Sequence, residues 1–458
     1  MGIPFTVSEE IFDYGDVPTQ PQTGCVEIRV TGSIDEQRLR DALAEAITRH
    51  PMARAKKVSG RRGLRPPEWE LVDAPELDLS ETVSVLPAGD DEAMRTIRSR
   101  FSNERVSLSA PPPLRLLPVR RAAGDTLIFK WHHAMADGIG GIRFLRSLVR
   151  AYDGTADPIP DVDPIQARDT VVTDEPPEPV EGERPAPVTR VREIPSLIAP
   201  ENPSDVPGYG IHLLVLDGSA VELKDLRAHR PSASVNDVLI GALHLAIADW
   251  NRMHGEDTGR VIVLMPVSLR PAAWLREVVA NIVGHGVVTT TAEQRADRFA
   301  LMDVVAGQTR YLRAHSAGAL LQRRPWLRRV APFLLVVLSR PWISRRRQAA
   351  AMMSNVGRVR TFGDMGDAGA VVGFDGSMPA PMPPGVAIAA ARYNDTFRIG
   401  LRYNRQLFDD AAAERFLDLY VDEITFLCTG AAIGGERAAD TVAQSMTTAR
   451  LNGRSEER

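Results

Sequence analysis

A short apolar run, Leu127 to Trp131, stops at His132-His133, and soon afterwards Ile142, Leu145, Leu148, Val149 and Tyr152 mark the apolar face of a helix. A run of that length reads as a buried strand, and the 3.6-residue spacing that follows reads as an amphipathic helix. Residues 132 to 141 must therefore turn the chain directly from strand to helix. Gly138, Gly140 and Gly141 allow that turn without steric cost and let the main chain approach a ligand closely.

The same alternation recurs on both sides of this unit, which makes the chain an α/β (α+β) protein. Val26, Ile28 and Val30 alternate with Glu27 and Arg29 as in a half-buried strand, and Ser33 with Glu36 forms a capping-box signature. Leu39, Ala42, Leu43, Ala46 and Ile47 then line one helix face, which should end at His50-Pro51. Further on, Ile211 to Leu216 is an apolar run, Ser234 is placed to cap a helix with face Leu239, Ala242, Leu243, Ala246 and Trp250, and Val261 to Met265 reads as another buried strand. Between the halves, residues 153–207 hold 12 of the 34 prolines and the acidic cluster Asp174, Glu175, Glu178, Glu181 and Glu183. That composition predicts an extended surface crossover. At 458 residues the chain exceeds a single core, and the expected division is a domain over 1–152, the crossover over 153–207, a second domain over 208–430 and a polar, disordered tail over 431–458.

A net charge of −4 gives no global bias toward nucleic acid. Two cysteines, Cys25 and Cys428, are too few for a disulfide framework or a C-x-x-C metal site, and no apolar stretch is long enough to span a bilayer. With no basic-then-apolar leader, a cytoplasmic location is expected. Charge is nevertheless uneven, since residues 304–363 hold 12 Arg and no Asp or Glu. Such a segment suits the phosphates of coenzyme A, the acidic face of a carrier protein or anionic headgroups. Val330 to Leu338, broken by Pro332 and flanked by Trp326 and Trp342, suits a membrane interface or an acyl channel. Peripheral membrane contact therefore joins the expectations.

The chemistry resides in the H-H-x-x-x-D-G segment from His132 to Gly138. Neighbouring residues at a strand end point to opposite faces, so one histidine can face a cleft while the other packs inward. A neutral imidazole can take a proton from a hydroxyl or amine, a contribution of roughly 10²–10⁴ in rate. Two packed histidines are the simplest competing account. A metal site would need a third ligand beside His133 and Asp137, which nothing indicates. His132 and Asp137 also satisfy the H-x-x-x-x-D pattern of glycerolipid acyltransferases.

The segment resembles the active-site motif of the condensation-type acyltransferase superfamily, which includes peptide-synthetase condensation domains, polyketide-associated acyltransferases and bacterial wax ester synthase/diacylglycerol acyltransferases. Arg38 to His50 with Pro51-Met52, Asn236 to Leu239, Pro266-Val267-Ser268-Leu269-Arg270-Pro271, Asn281 and Ser354-Asn355-Val356-Gly357 are similar to the family in order and spacing, the middle ones to its wax ester branch. The resemblance implies two chloramphenicol-acetyltransferase-like domains in a V-shaped pseudo-dimer with the active-site tunnel between them. His133 is then the general base, with His132, Asp137, Gly138 and Arg270 supporting it. Asp137 points away from substrate and pairs with Arg270. Asn281, Ser354 and Asn355 become candidates for substrate contact. No metal or cofactor is implied; the donor is an acyl-CoA or acyl carrier protein thioester, and the acceptor a small alcohol, lipid or amine. The wax ester-like O-acyltransferase using acyl-CoA is the leading reading. The alternatives are a stand-alone condensation or polyketide-associated enzyme forming an ester or amide, and a non-catalytic member that binds acyl or carrier partners.

Overall fold

The computed structural model describes residues 2–58, 67–158, 162–168, 193–205, 207–221, 226–227, 233–271, 274, 276–314 and 348–429. The acidic centre of the crossover, the tail, and the arginines from Arg323 to Arg347 together with Val330 to Leu338 lie outside the described residues. Besides short helical turns, the first half contains β1 (Ile3–Pro4), α1 (Val7–Gly15), β2 (Thr23–Val30), α2 (Glu36–Arg49), β3 (Ala55–Val58), β4 (Glu68–Leu71), β5 (Leu86–Pro87), α3 (Asp91–Asn103), β6 (Leu114–Arg120), β7 (Thr126–His132) and α4 (Gly138–Asp153). The second contains β8 (Tyr209–Asp217), α5 (Val235–Met253), β9 (Val261–Ser268), β10 (Val283–Thr290), α6 (Arg298–Ala314), β11 (Ala351–Val359), β12 (Val371–Ser377), β13 (Val386–Tyr393), β14 (Thr396–Asn404) and α7 (Asp410–Thr429). Among the described residues no helix is long and apolar enough to cross a membrane.

The first large sheet runs β12-β2-β7-β6-β5 and the second β10-β9-β11-β13-β14-β8, with a small β1-β4-β3 sheet beside them. Helices α2 and α4 cover one face of the first sheet, packing Leu39, Leu43, Ile47, Phe144 and Leu148 against Ile28, Leu127 and Phe129. Burying each such large side chain contributes about 1.5–3 kcal/mol. The α2 helix is capped by Asp35, whose carboxylate accepts from Arg38 N, and not by Ser33. Strand β2 also differs from the half-buried expectation, because α3 covers its other face: Met94 and Phe101 pack on Cys25, Leu117 and Ile128. Glu27 is buried there, and Arg98 of α3 answers it with two 2.8 Å bonds.

In the second sheet, α5, α6 and α7 cover a single face. The core under them takes Val261, Val263, Met265 and Val267 from β9, Ala351 and Met353 from β11, and Phe397, Ile399, Leu401 and Tyr403 from β14. By the two-residue period of a strand, the intervening positions look the other way, toward the first half. The α5 helix begins with a full capping box between Ser234 and Asp237. Strand β12 leaves this half and pairs antiparallel with β2, Val371 to Ser377 lying along Val30 to Cys25. A division at 153–207 does not anticipate this exchange, which completes the first sheet with a strand from the far end of the chain.

Candidate active site

His132 is the last residue of β7 and is fully buried. Its Nδ1 accepts from Ala134 N at 3.1 Å, so Nε2 carries the proton and faces the Asp16 carboxylate at 3.6 Å. Burial alone would raise the pKa of Asp16; the facing His132 ring and the hydrogen bonds from Arg105 outweigh it and lower the value. This ring is therefore anchored within the first lobe.

His133 follows in the turn and belongs to a cavity of about 720 Å³ whose walls come from both halves. Its backbone is tied on two sides: the N–H donates to Gln22 O at 2.8 Å, and the carbonyl accepts from Asn281 Nδ2 at 2.9 Å. The ring stacks on Phe12 of α1 with centroids 4.1 Å apart. Nδ1 is buried without a partner, which leaves Nε2 as the nitrogen open to the cavity. Burial pushes its pKa down to about 4, the Asp137 charge opposing the shift while His285 and His132 add to it. The imidazole is thus neutral at physiological pH and able to accept a proton.

Asp137 caps α4, its Oδ1 accepting from Gly140 N at 2.9 Å. Its Oδ2 accepts from Ile282 N at 2.9 Å and from Arg270 Nη1. The Arg270 side chain is fully buried and also donates to Ala280 O at 2.7 Å. Both carboxylate oxygens are engaged, so Asp137 fixes the turn and clamps the first lobe to the segment after β9. Gly141 is required by close approach: a Cβ there would run into the ring of Trp131, which donates Nε1–H to Ala136 O at 2.7 Å.

Gly138, Ser354 and Asn355 all line the cavity, with Val356 opposite Gly138. Asn355 Oδ1 accepts from Gly357 N at 2.9 Å, where the β11 register shifts. Asn281 does not line the cavity; it is 1% exposed and holds the His133 carbonyl instead. Sequence reasoning missed Phe12, the lining residues of β12 and, above all, His285, which enters the cavity from β10. Val283–Thr290 carries no apolar–polar alternation that marks the face of His285, so the sequence offered no signal for it. Among the described residues no group of three or more His, Cys, Asp or Glu side chains is arranged to hold a metal ion.

No protein-family model matches the chain. Uncharacterized protein Rv2305 of Mycobacterium tuberculosis (strain ATCC 25618 / H37Rv) is 30% identical over 442 residues, covering 92% of this chain and 98% of the relative. Uncharacterized protein MT2362 of the CDC 1551 / Oshkosh strain matches to the same extent. Among solved structures, the first condensation domain of the calcium-dependent antibiotic synthetase, in complex with a substrate analogue, has a TM-score of 0.67 at 16% identity, covering 94% of this chain and 98% of that one. The starter condensation domain of rhizomide synthetase in complex with C8-CoA has a TM-score of 0.64 at 15% identity, covering 94% and 96%. These likenesses show the fold: two chloramphenicol-acetyltransferase-like lobes in a V, the architecture that the family resemblance implies. The chain belongs to the family of the mycobacterial proteins Rv2305 and MT2362 and carries the two-lobed condensation-domain fold.

Proposed function

We propose that this chain is an acyltransferase that moves an acyl group from acyl-CoA to an acceptor hydroxyl, with His133 Nε2 as general base. The observation that carries the reading is a neutral imidazole open to a largely apolar cavity between the lobes, while the carboxylate four residues on is consumed by Arg270 and two amides. In this reaction the acceptor oxygen bonds to the thioester carbon as its proton passes to Nε2. Collapse of the tetrahedral intermediate then breaks the C–S bond, and the imidazolium returns the proton to the sulfur. No covalent acyl-enzyme is needed. Cys25 also lines the cavity, but burial pushes its thiol up to about 11, so it is a poor nucleophile at neutral pH.

A CoA donor is supported by the rhizomide starter domain, which binds C8-CoA. The apolar walls suit a long-chain alcohol or diacylglycerol, as in wax ester or triacylglycerol synthesis. A second reading, a stand-alone condensation enzyme forming an ester or amide from a carrier-bound acyl group, draws support from the synthetase and polyketide-synthase condensation domains of the same fold. The test is thiol release from acyl-CoA of several chain lengths with long-chain alcohol, diacylglycerol or amine. His133→Ala should lower it by about 10²–10⁴. Release that survives this substitution unchanged rejects the assigned base, and a strict preference for carrier-bound acyl groups moves the assignment to the second reading.

A further inference from the structure

A second imidazole shares the cavity with His133. His285 lies on the face of β10 opposite Val288, whose side chain belongs to the core under the helices. It therefore projects from the second lobe toward the first. Phe12 links the two histidines, its ring 4.1 Å from that of His133 and 6.0 Å from that of His285. Among the described residues no hydrogen bond involves the His285 ring, so its polar edge is left for whatever fills the cavity. Two nearby cavity donors are already committed: Ser8 Oγ donates to Val283 O at 2.8 Å, and Gln22 Nε2 to the carbonyls of Gly15 and Gln20 at 3.3 Å.

We propose that His285 is a second catalytic residue, whose ring N–H donates to the thioester carbonyl oxygen as that oxygen gains charge during attack by the acceptor. The inference rests on the acyl-thioester reading above and adds the missing half of its electrostatics. As the acceptor oxygen bonds to the carbonyl carbon, its proton goes to His133 and the C=O π pair moves onto oxygen. His285 keeps its own proton and supplies a hydrogen bond. When the C=O re-forms, the C–S pair leaves with sulfur, which takes the proton back from His133. A neutral imidazole always carries one N–H donor, and burial pushes His285 down to about 4, so it does not compete as a cation with the imidazolium formed at His133. A preoriented donor in a desolvated site is where such a bond is strongest, and losing one costs about 10²–10³ in rate.

The experiment uses the full chain and acyl-CoA labelled with ¹³C at the thioester carbonyl. Difference infrared spectra without acceptor should show the bound carbonyl band moved to lower frequency in the wild type and in His133→Ala, but not in His285→Ala. With acceptor, His285→Ala should lose about 10²–10³-fold in kcat/KM while its dissociation constant for acyl-CoA stays within about threefold. His285→Gln, which restores an N–H donor, should recover about tenfold or more of that loss. A His285→Ala enzyme within about threefold of wild type in kcat/KM overturns the proposal. So does a carbonyl band that ignores His285 and responds to Ser354→Ala, or an affinity loss as large as the loss of kcat/KM. If the wild type neither binds acyl-CoA nor releases its thiol with any acceptor, the acyltransferase reading falls and takes this inference with it. If the wild type turns over normally and His285→Ala does too, this inference alone is lost.

Discussion

Replacing Arg270 with methionine keeps an unbranched apolar stem but removes the guanidinium and its charge, leaving the Asp137 carboxylate buried with two backbone amides as its donors. Removing one partner of a buried ion pair costs about 3–5 kcal/mol. The amides of Gly140 and Ile282 still share the negative charge, and Ala280 O keeps its bond from Asp137 N at 3.3 Å. The expected loss is therefore near the lower end, about 3 kcal/mol, which is roughly a hundredfold in the unfolding equilibrium. Urea unfolding followed by tryptophan fluorescence measures it. A second consequence reaches the chemistry. The Asp137 charge already raises the pKa of His133 against burial, and without Arg270 to balance it that effect grows. The imidazole then protonates at higher pH, so the acid limb of kcat/KM moves up in Arg270→Met. Adding Asp137→Asn removes the stranded charge and should return the limb to lower pH while recovering about 1 kcal/mol or more. A loss under about 1 kcal/mol in Arg270→Met, an unmoved acid limb, or a double variant whose losses simply add would refute this account of the clamp.

In the wild type, the depressed value of about 4 at His133 predicts a flat kcat/KM from about pH 8 to about pH 5, falling as pH drops through about 4; an acid limb near 6.5 in the free enzyme would mean a solvated ring. The same burial makes the unfolded chain the better proton acceptor at His133 and His285, and likewise at the buried His50 and His244, so stability should decline as pH falls below about 6.5 and continue to decline until about 3. Gly141→Ala pushes a methyl into the buried Trp131 ring and should cost about 1–3 kcal/mol in urea unfolding, with a change in the near-ultraviolet circular dichroism of Trp131.

The local elements were legible because each leaves a periodic trace. Leu39, Ala42, Leu43, Ala46 and Ile47 are the buried residues of α2, and Ser234 caps α5. Long-range partnership leaves no such trace. Nothing in Val371 to Ser377 announces that it pairs with β2 across more than 300 positions of sequence. Glu27 read as a solvent-facing residue because Arg98, which makes its burial tolerable, arrives on another element. In the site, His132, His133, Asp137 and Gly138 stand together in one motif. Arg270 and Asn281 could be named only through the family resemblance; the structure adds that Asn281 grips the His133 backbone rather than facing the cavity. His285 stayed hidden because a lone histidine among the valines, glycines and threonines of Val283–Thr290 looks like any strand position until the sheet's second face is seen to be a cavity wall.

The exchange of β12 makes the two halves of the gene inseparable. A product truncated at residue 152 would bare the outer edge of β2, from Cys25 to Val30, as a row of unpaired amides and carbonyls that invites intermolecular pairing. The complementary fragment would carry Val371 to Ser377 with no sheet to join. Soluble material should then come only from co-expression, where the pieces find one another, and the intact chain should melt in a single transition rather than lobe by lobe.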